Sequence, residues 1–308
     1  MSRQTEKTMK ELNAFLKAQR PDGPSEEEMN DLLQQFMREK NAQLSLGGEY
    51  YEPETADDYL ELAEEETSKK KQLEYLNRAL ELEPDNLDAG RMMAELTAKN
   101  PYALMEELSR LLEKGNRQMM KEGYFADEYK GDFWGVIETR PYMRLRHLYM
   151  QTLTECGMLR RAARECEELL ELCENDNLGV RYDLMHLYAM LEEEEPARAV
   201  LEKFPEEETQ TLLPLSILHF KLGQTDEALE ELKRLSRINK DTKKFLNAMR
   251  SDSGKLEKYL WEMSSFGYRP FSIEELIMEV SSYAFLFESA HAYFEWGYQA
   301  LKKETAKK

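Results

Sequence analysis

The stretch KKKQLEYLNRALELEPDNLDAGRMMAEL, residues 69–96, decides the fold class. Its apolar residues recur at helical spacing until Pro84, which cannot continue the helix because proline lacks the backbone N–H and clashes with the preceding turn. Asp85 and Asn86 follow, and such side chains accept hydrogen bonds from the free N–H groups at a helix start. The stretch therefore predicts two helices joined by a tight turn, with Ala79 at their close contact.

The same joint recurs further along the chain, in GMLRRAA from Gly157 and in GQTDEA from Gly223. The two glycines are 66 residues apart, and so are Ala162 and Ala228, which is twice 33. A period near 34, with glycine at the turn and alanine where helices touch, is the tetratricopeptide signature. We expect an all-α fold, a tetratricopeptide-like right-handed α-solenoid of antiparallel helix pairs, with an irregular helical bundle as the alternative. The predicted joint residues are Ala79, Pro84, Gly157, Ala162, Asn177, Gly223 and Ala228.

The pattern divides the chain into three parts. Residues 1–54 predict a helical N-terminal arm with a linker, residues 55–250 the repeat region, and residues 251–308 a helical cap. A cap is expected because stacked repeats leave an apolar face at each end that another element must bury. The sequence leaves open whether the N-terminal arm packs on the repeats.

Two capping boxes mark helix starts outside the repeats. A serine is followed three residues later by a glutamate at Ser25 and again at Ser272, a pattern in which each side chain caps the other residue's backbone. The first box predicts a helix that ends near Lys40. The second predicts a helix that continues through the aromatic residues of 283–298, most of which we expect in the core.

Charge and composition limit the possible partners. The 308 residues include 61 acidic and 42 basic ones, for a net charge of −19. Nucleic acids and anionic membranes are disfavoured, because affinity for phosphates comes from clustered Lys and Arg, whereas a basic peptide is favoured. No stretch has the length of apolar sequence that spans a membrane, and no signal-peptide core is present. We expect a cytoplasmic protein that binds a protein or peptide, in an oligomeric state that the sequence does not indicate.

The segment GDFWGVIETRPYMRLR, residues 131–146, differs from its acidic surroundings. Thr139 is predicted to be an N-cap, Arg140 the first helical residue, and Pro141 a first-turn proline. The segment is therefore expected to be a loop that leads into a helix and presents aromatic and cationic groups at the junction.

The elements FWGVIETRPYMR and GMLRRAARECEELLELCENDNLGVRY resemble a group of bacterial tetratricopeptide proteins. That group carries a Trp–Gly pair, ETRPYMR and a DNxGxR element, and it is distantly similar to the eukaryotic suppressor-of-tumorigenicity family. The resemblance implies a helical repeat fold and an interaction role without enzymatic activity. The chain departs from the group at Cys166, Cys173 and Glu174 and in its acidic arm, and it lacks the membrane segments of the eukaryotic relatives.

Three arginines are candidate partner-binding residues. Arg140 and Arg144 share a helix face, and Arg181 lies in the first helix of the next repeat, after a cap formed by residues 176–177. Arg144 and Arg181 are expected to converge on the concave surface, where arginines bind a carboxylate with two hydrogen bonds. The alternative is that they pair internally, with Glu138, Asp176 or neighbouring glutamates, and lock adjacent repeats together.

Trp134, Tyr142 and His147 complete the candidate set. Trp134 is interpreted as a structural plug or as a ligand platform, and His147 lies on a first helix, as do His186 and His219. No closely spaced metal ligands, phosphate loop or nucleophile motif is present, so we expect no metal, no cofactor and no enzymatic activity. The favoured function is a scaffold that binds a peptide or helix in a concave groove. The alternative is a small-molecule sensor or enzyme with a pocket around Trp134, Arg140 and Arg144.

Overall fold

The computed structural model describes residues 3–21, 23–46, 53–251, 258–259, 261 and 267–306. Across these residues every regular element is a helix, apart from one isolated β-bridge between Asp132 and Cys173. The all-α class predicted from the sequence is confirmed. The chain forms two compact units, here called unit 1 (Met1–Cys156 with Glu171–Asn177) and unit 2 (Gly157–Leu170 with Leu178–Lys308).

Unit 1 contains seven of the described helices: α1 (Arg3–Gln19), α2 (Glu26–Leu46), α3 (Ala56–Glu65), α4 (Lys69–Leu82), α5 (Leu87–Thr97), α6 (Pro101–Lys121) and α7 (Arg140–Glu155). Helices α3 and α4 form one pair, α5 and α6 a second, and α7 packs on both α5 and α6. The predicted joint is confirmed: α4 ends before Pro84, and the Asn86 side chain accepts from the N–H of Ala89 at 3.0 Å. Ala79 is fully buried.

Helix α2, the second helix of the N-terminal arm, begins where predicted but ends later than predicted. Glu28 N–H donates to Ser25 Oγ at 3.3 Å, and Ser25 N–H donates back to the Glu28 carboxylate at 3.0 Å, so the capping box forms. Helix α2 then runs to Leu46 instead of ending near Lys40. Residues 41–46 contain no glycine or proline to stop it. The rest of the predicted linker, residues 47–52, lies outside the described residues.

The described helices of unit 2 are α8 (Leu159–Leu172, whose last two residues belong to unit 1), α9 (Val180–Leu191), α10 (Glu194–Lys203), α11 (Thr209–Lys221), α12 (Thr225–Ile238), α13 (Thr242–Met249), α14 (Ile273–Ser282), α15 (Ala284–Ser289) and α16 (His291–Ala306). Helices α9 and α10 pair, as do α11 and α12. Helix α14 packs on α11 and α13, α15 on α9, and α16 on α12 and α13.

The glycine and alanine joints behave as predicted, whereas the cap of α9 does not. Gly157 and Gly223 have φ of 73° and 78°, the left-handed conformation in which glycine terminates a helix at no steric cost. Ala162 and Ala228 are fully buried. The residue at the N-cap of α9 is Gly179, which has no side chain, so Asn177 lies in the preceding turn and does not cap the helix.

The prediction of one long C-terminal helix is wrong, because the described chain breaks after Ser282 and again after Ser289. The Ser289 hydroxyl donates to the carbonyl of Leu286 at 2.7 Å, a local bond that competes with continuation of the helix. The expected aromatic core is confirmed for Tyr293 and Phe294, which are fully buried.

Candidate partner-binding site

Helix α1 presents a stripe of polar side chains along one face. The stripe consists of Arg3, Glu6, Lys7, Lys10 and Asn13. These residues recur at intervals of three or four and therefore share one face of the helix. Each of the five side chains bonds to a residue outside α1 and α2. The N-terminal helix therefore packs on the repeats through its polar face.

The surface that receives this stripe is built by the first helices of the pairs, α3 and α5, together with α7. We call it the docking face, and it is formed by Asp57, Asp58, Glu64, Asp88, Arg140 and Arg144. Lys10 Nζ lies 2.9 Å from the Asp57 carboxylate, and Lys7 pairs with Asp58. Arg3 bridges Glu64 on α3 and Asp88 on α5. One helix is thus bonded across three others.

Glu6 occupies the centre of the docking face. Its carboxylate is 5% exposed and accepts from Arg140 Nη1 at 3.2 Å and from Arg144 Nη1 at 3.0 and 3.1 Å. Arg144 also donates through Nε and Nη2 to the two oxygens of Asp88, at 3.0 and 2.5 Å. Arg144 therefore binds one carboxylate in the two-pronged geometry that guanidinium favours, and a second with its remaining N–H groups.

The electrostatics of the face hold these groups in their charged forms. Burial by itself raises the pKa of Asp88, but the hydrogen bond and charge of Arg144, with the charges of Arg3 and Arg91, outweigh burial and hold that pKa at about 2. Burial lowers the pKa of Arg144, yet Asp88 and Glu6 raise it by more. The Asp88–Arg144 pair beside Glu6 is thus ionised at neutral pH.

The loop before α7 fixes the position of Arg140. The Thr139 hydroxyl bonds backwards, to the carbonyl of Phe133 and, at 2.9 Å, to that of Val136, so its predicted role as a side-chain N-cap is wrong. The N–H of Phe133 donates to the carbonyl of Leu172 at 2.9 Å and ties the loop to the rest of unit 1. As predicted, Arg140 is the first residue of the helix and a proline follows it.

Trp134 and Tyr142 lie on different sides of α7. The Arg140 guanidinium stands 5.4 Å from the centre of the half-buried Trp134 ring, and its Nε donates to the Trp134 carbonyl at 2.8 Å. Tyr142 is buried, and its hydroxyl donates to Asn116 on α6. Trp134 therefore supports the docking face, whereas Tyr142 packs into unit 1.

The remaining predicted site residues have other surroundings. His147 is half-buried on α7, and burial lowers its pKa. Arg181 belongs to unit 2, where its Nη2 lies 3.2 Å from the Glu208 carboxylate and its guanidinium stacks over Tyr182. Both Arg144 and Arg181 are thus paired with carboxylates, Arg144 with those of Glu6 and Asp88 and Arg181 with that of Glu208.

The two other first-helix histidines are buried in unit 2. The Nδ1–H of His186 donates to the Tyr182 carbonyl, 2.8 Å away, and the ring stacks on Tyr283 with ring centres 3.6 Å apart. His219 is 2% exposed, and its ring nitrogens lie 3.8 and 3.9 Å from Glu194 and Glu231. In the part of the chain that the structure describes, no cluster of three His, Cys, Asp or Glu side chains has the geometry to hold a metal ion.

The sequence did not single out the residues that complete the site, namely Glu6, Asp58 and Asp88. The spacing of Arg3, Glu6, Lys7 and Lys10 is the one sequence signal that could have indicated a polar stripe. Their partners lie between 47 and 138 residues away in the chain, and such pairings leave no local pattern. A cavity of about 390 Å³ beside the docking face is lined by Lys10 and five carboxylates, those of Glu83, Asp85, Asp88, Glu122 and Glu138, with other residues.

No protein-family model matches the chain, and no curated protein sequence matches it. Among solved structures it is similar to the crystal structure of YrrB, described as a TPR protein with an unusual peptide-binding site. The two are 17% identical with a TM-score of 0.43, over 60% of this chain and 87% of YrrB. Of the described helices, none combines the length and the apolar character needed to cross a membrane.

Proposed function

We propose that the protein is a non-enzymatic interaction scaffold that binds a helical segment of a partner protein on the docking face of unit 1. One observation supports this above all: the chain's own helix α1 lies on that face with four side chains of one stripe bonded to it, those of Arg3, Glu6, Lys7 and Lys10. The face is therefore able to hold a helix through polar side-chain contacts.

The chemistry of the face favours a helix over a small molecule. The guanidinium groups of Arg140 and Arg144 are already bonded to Glu6, and Arg144 also to Asp88. A pocket walled by Trp134 and these arginines would need them directed at a ligand. Instead the acceptors and donors are spread over three helices, which suits an extended partner and disfavours the sensor or enzyme alternative.

The test is affinity capture from the native cell. Two matched double variants are compared, and each is made in a chain that already carries Glu6→Ala. Asp57→Ala with Glu64→Ala removes two partly exposed carboxylates of the docking face. Glu81→Ala with Glu107→Ala removes two exposed carboxylates elsewhere in unit 1, each of which pairs with an arginine three residues away on its own helix. We expect a partner that the control double variant retains and that the docking-face variant loses about tenfold or more.

Captured proteins can also be mapped directly. A carbodiimide joins a carboxylate to an amine in contact with it, so a partner on the docking face should be cross-linked to Asp57 or Glu64. Equal recovery by both double variants, with cross-links elsewhere, would contradict the proposed function.

A further inference from the structure

We propose that α1 is an internal competitor for the docking face, and that the partner is a helix carrying the same charge order, basic–x–x–acidic–basic–x–x–basic. This inference rests on the proposed function and adds both the chemistry of the partner and the regulation of the site. It follows from how α1 is held, from what the docking face needs, and from the charge balance between the two.

Helix α1 is held on the docking face by charged groups. Of its side chains, Glu6 alone is buried, and its apolar residues lie on the opposite side of the helix. There the ring centre of Phe15 lies 5.7 Å from that of Phe36 on α2. Several of the ion pairs are partly exposed, with Lys10 at 31% and Glu64 at 41%. Partly exposed pairs stabilise only weakly, so α1 can be displaced by a ligand that offers the same bonds.

The docking face does not tolerate the loss of α1 without replacement. Arg140 is 6% exposed, and the Asp88 beside Arg144 is 2% exposed. Removing Glu6 takes a carboxylate away from the buried guanidinium of Arg140 and from the partly buried one of Arg144, and losing the partner of a buried charge is strongly unfavourable. A competing helix must therefore supply a carboxylate at the Glu6 position. It must also supply cations at the positions of Arg3, Lys7 and Lys10, which face Asp88, Asp58 and Asp57.

The charges of the two surfaces are complementary. The docking face carries four carboxylates and two guanidinium groups, so its net charge is −2. The stripe of α1 carries three cations and one carboxylate, so its net charge is +2. A basic helix with one acidic residue is thus the ligand class, although the whole chain has a net charge of −19. Because α1 occupies the face, the apparent affinity for such a partner equals the intrinsic affinity multiplied by the fraction of molecules in which α1 has left the face.

The probe is a fluorescent peptide with the sequence of residues 1–20, added to the full-length chain. We compare the wild-type chain with Glu6→Ala, which removes the central carboxylate of α1, and with Lys10→Glu, which repels Asp57 without touching the buried socket. Circular dichroism verifies that both variants fold. We expect each variant to bind the peptide at least about tenfold more tightly than the wild-type chain, because α1 competes less well. A matched peptide carrying Glu6→Ala should bind none of the chains tightly.

A second readout follows the occupant of the face. The chain is labelled with ¹⁵N and the peptide is not, and a carbodiimide joins Lys10 to Asp57, which are 2.9 Å apart in the closed form. In the Glu6→Ala chain we expect the cross-link to change from heavy–heavy to light–heavy as peptide is added. The Lys10→Glu chain lacks the amine of its own Lys10, so there we expect only the light–heavy cross-link, supplied by the peptide.

Each outcome has a separate meaning. Equal binding to all three chains would overturn the internal competition and leave helix binding by the face intact. No binding to either variant, or equal binding of the Glu6→Ala peptide, would overturn the charge order. The proposed function is decided independently by the Asp57 and Glu64 variants in the capture experiment.

Discussion

In unit 1 and in unit 2, a helix from near a chain end covers the first helices of the pairs, but the two covers are held by different chemistry. Helix α1 meets α3, α5 and α7 with a stripe of charged side chains. Helices α14 and α15 meet α9, α11 and α13 mainly with apolar ones, of which Leu276, Ile277, Leu286 and Phe287 are at most 2% exposed. Apolar burial is non-directional and demands no matching partner, whereas each charge of α1 requires an opposite one.

The polar contacts of the two covers differ in the same way. In unit 2, Glu275 of α14 accepts from the Thr209 hydroxyl at 2.9 Å, from the Asn239 amide at 3.2 Å and from the N–H of Phe271 at 2.9 Å. This buried network sits among apolar side chains and adds rigidity to a cover already held by them. In unit 1 the charged groups themselves form the contact. Unit 2 is thus covered by helices that form part of its core, whereas unit 1 is covered by a helix that charged pairs hold in place.

The largest difference is expected when one leucine is truncated in α14 of unit 2 and one in α1 of unit 1. Leu276→Ala removes fully buried methyl groups from α14 and should lower the free energy of unfolding of unit 2 by about 2–5 kcal/mol. Leu12→Ala truncates a half-buried leucine of α1 and should cost unit 1 about 1 kcal/mol. Hydrogen exchange of amides in each unit as a function of urea measures both. Comparable losses in the two units would mean that unit 1 depends on the apolar side of α1 as much as unit 2 depends on that of α14.

How much the sequence predicts depends on how local the deciding signal is. The joint at Pro84 and Asn86 and the glycine at Gly157 lie within a few residues of the helix ends they determine, and both were predicted correctly. The continuation of α2 to Leu46 and the break after Ser282 depend on the balance of weak local preferences, and both were missed. Helix boundaries of this kind have no strong residue marker.

For the candidate site, the sequence indicated that Arg140 and Arg144 favour carboxylates, but it did not indicate that Glu6 and Asp88 supply them. The shared face of Arg140 and Arg144 follows from their spacing of four, and an affinity for carboxylates follows from the guanidinium group. That Glu6 fills the socket depends on a pairing across 138 residues. Tertiary packing sets such a pairing, and no pattern within a single helix reveals it.

A second, smaller effect on stability is expected from Asp88 in the docking face of unit 1. The pKa of Asp88 is 3.8 in its ordinary state and about 2 in the folded chain. A lowered pKa means that the unfolded chain binds the proton first, so the stabilisation is complete above pH 4 and is lost as the pH falls towards 2. The difference corresponds to about 2 kcal/mol for unit 1.

Hydrogen exchange of α5 and α7 amides between pH 4 and pH 2, corrected for the intrinsic exchange rates, measures this loss. An Asp88→Asn chain provides the control, because it lacks the titrating group and should lose less stability over the same interval. If the asparagine chain has the same pH dependence as the wild type, Asp88 is not the group responsible.

The smallest expected effect is in unit 2. Its stability should also fall as the pH falls, but the cause is a buried histidine instead of a paired carboxylate. Burial lowers the pKa of His219 below 6.5, against the opposing charge of Glu231 and with the charge of Arg198 acting in the same direction as burial. Below pH 6.5 the unfolded chain therefore binds a proton that the folded chain does not, and the stability of unit 2 falls as the pH falls. The partly screened carboxylates of Glu194 and Glu231 limit the loss, so it should be smaller than that at Asp88. Hydrogen exchange of α11 amides between pH 7 and pH 5 measures it, and His219→Gln should flatten the dependence in α11 while leaving the amides of α5 unaffected. If the pH dependence of hydrogen exchange in α11 is the same in the His219→Gln variant as in the wild-type chain, another group of unit 2 is responsible for the titration.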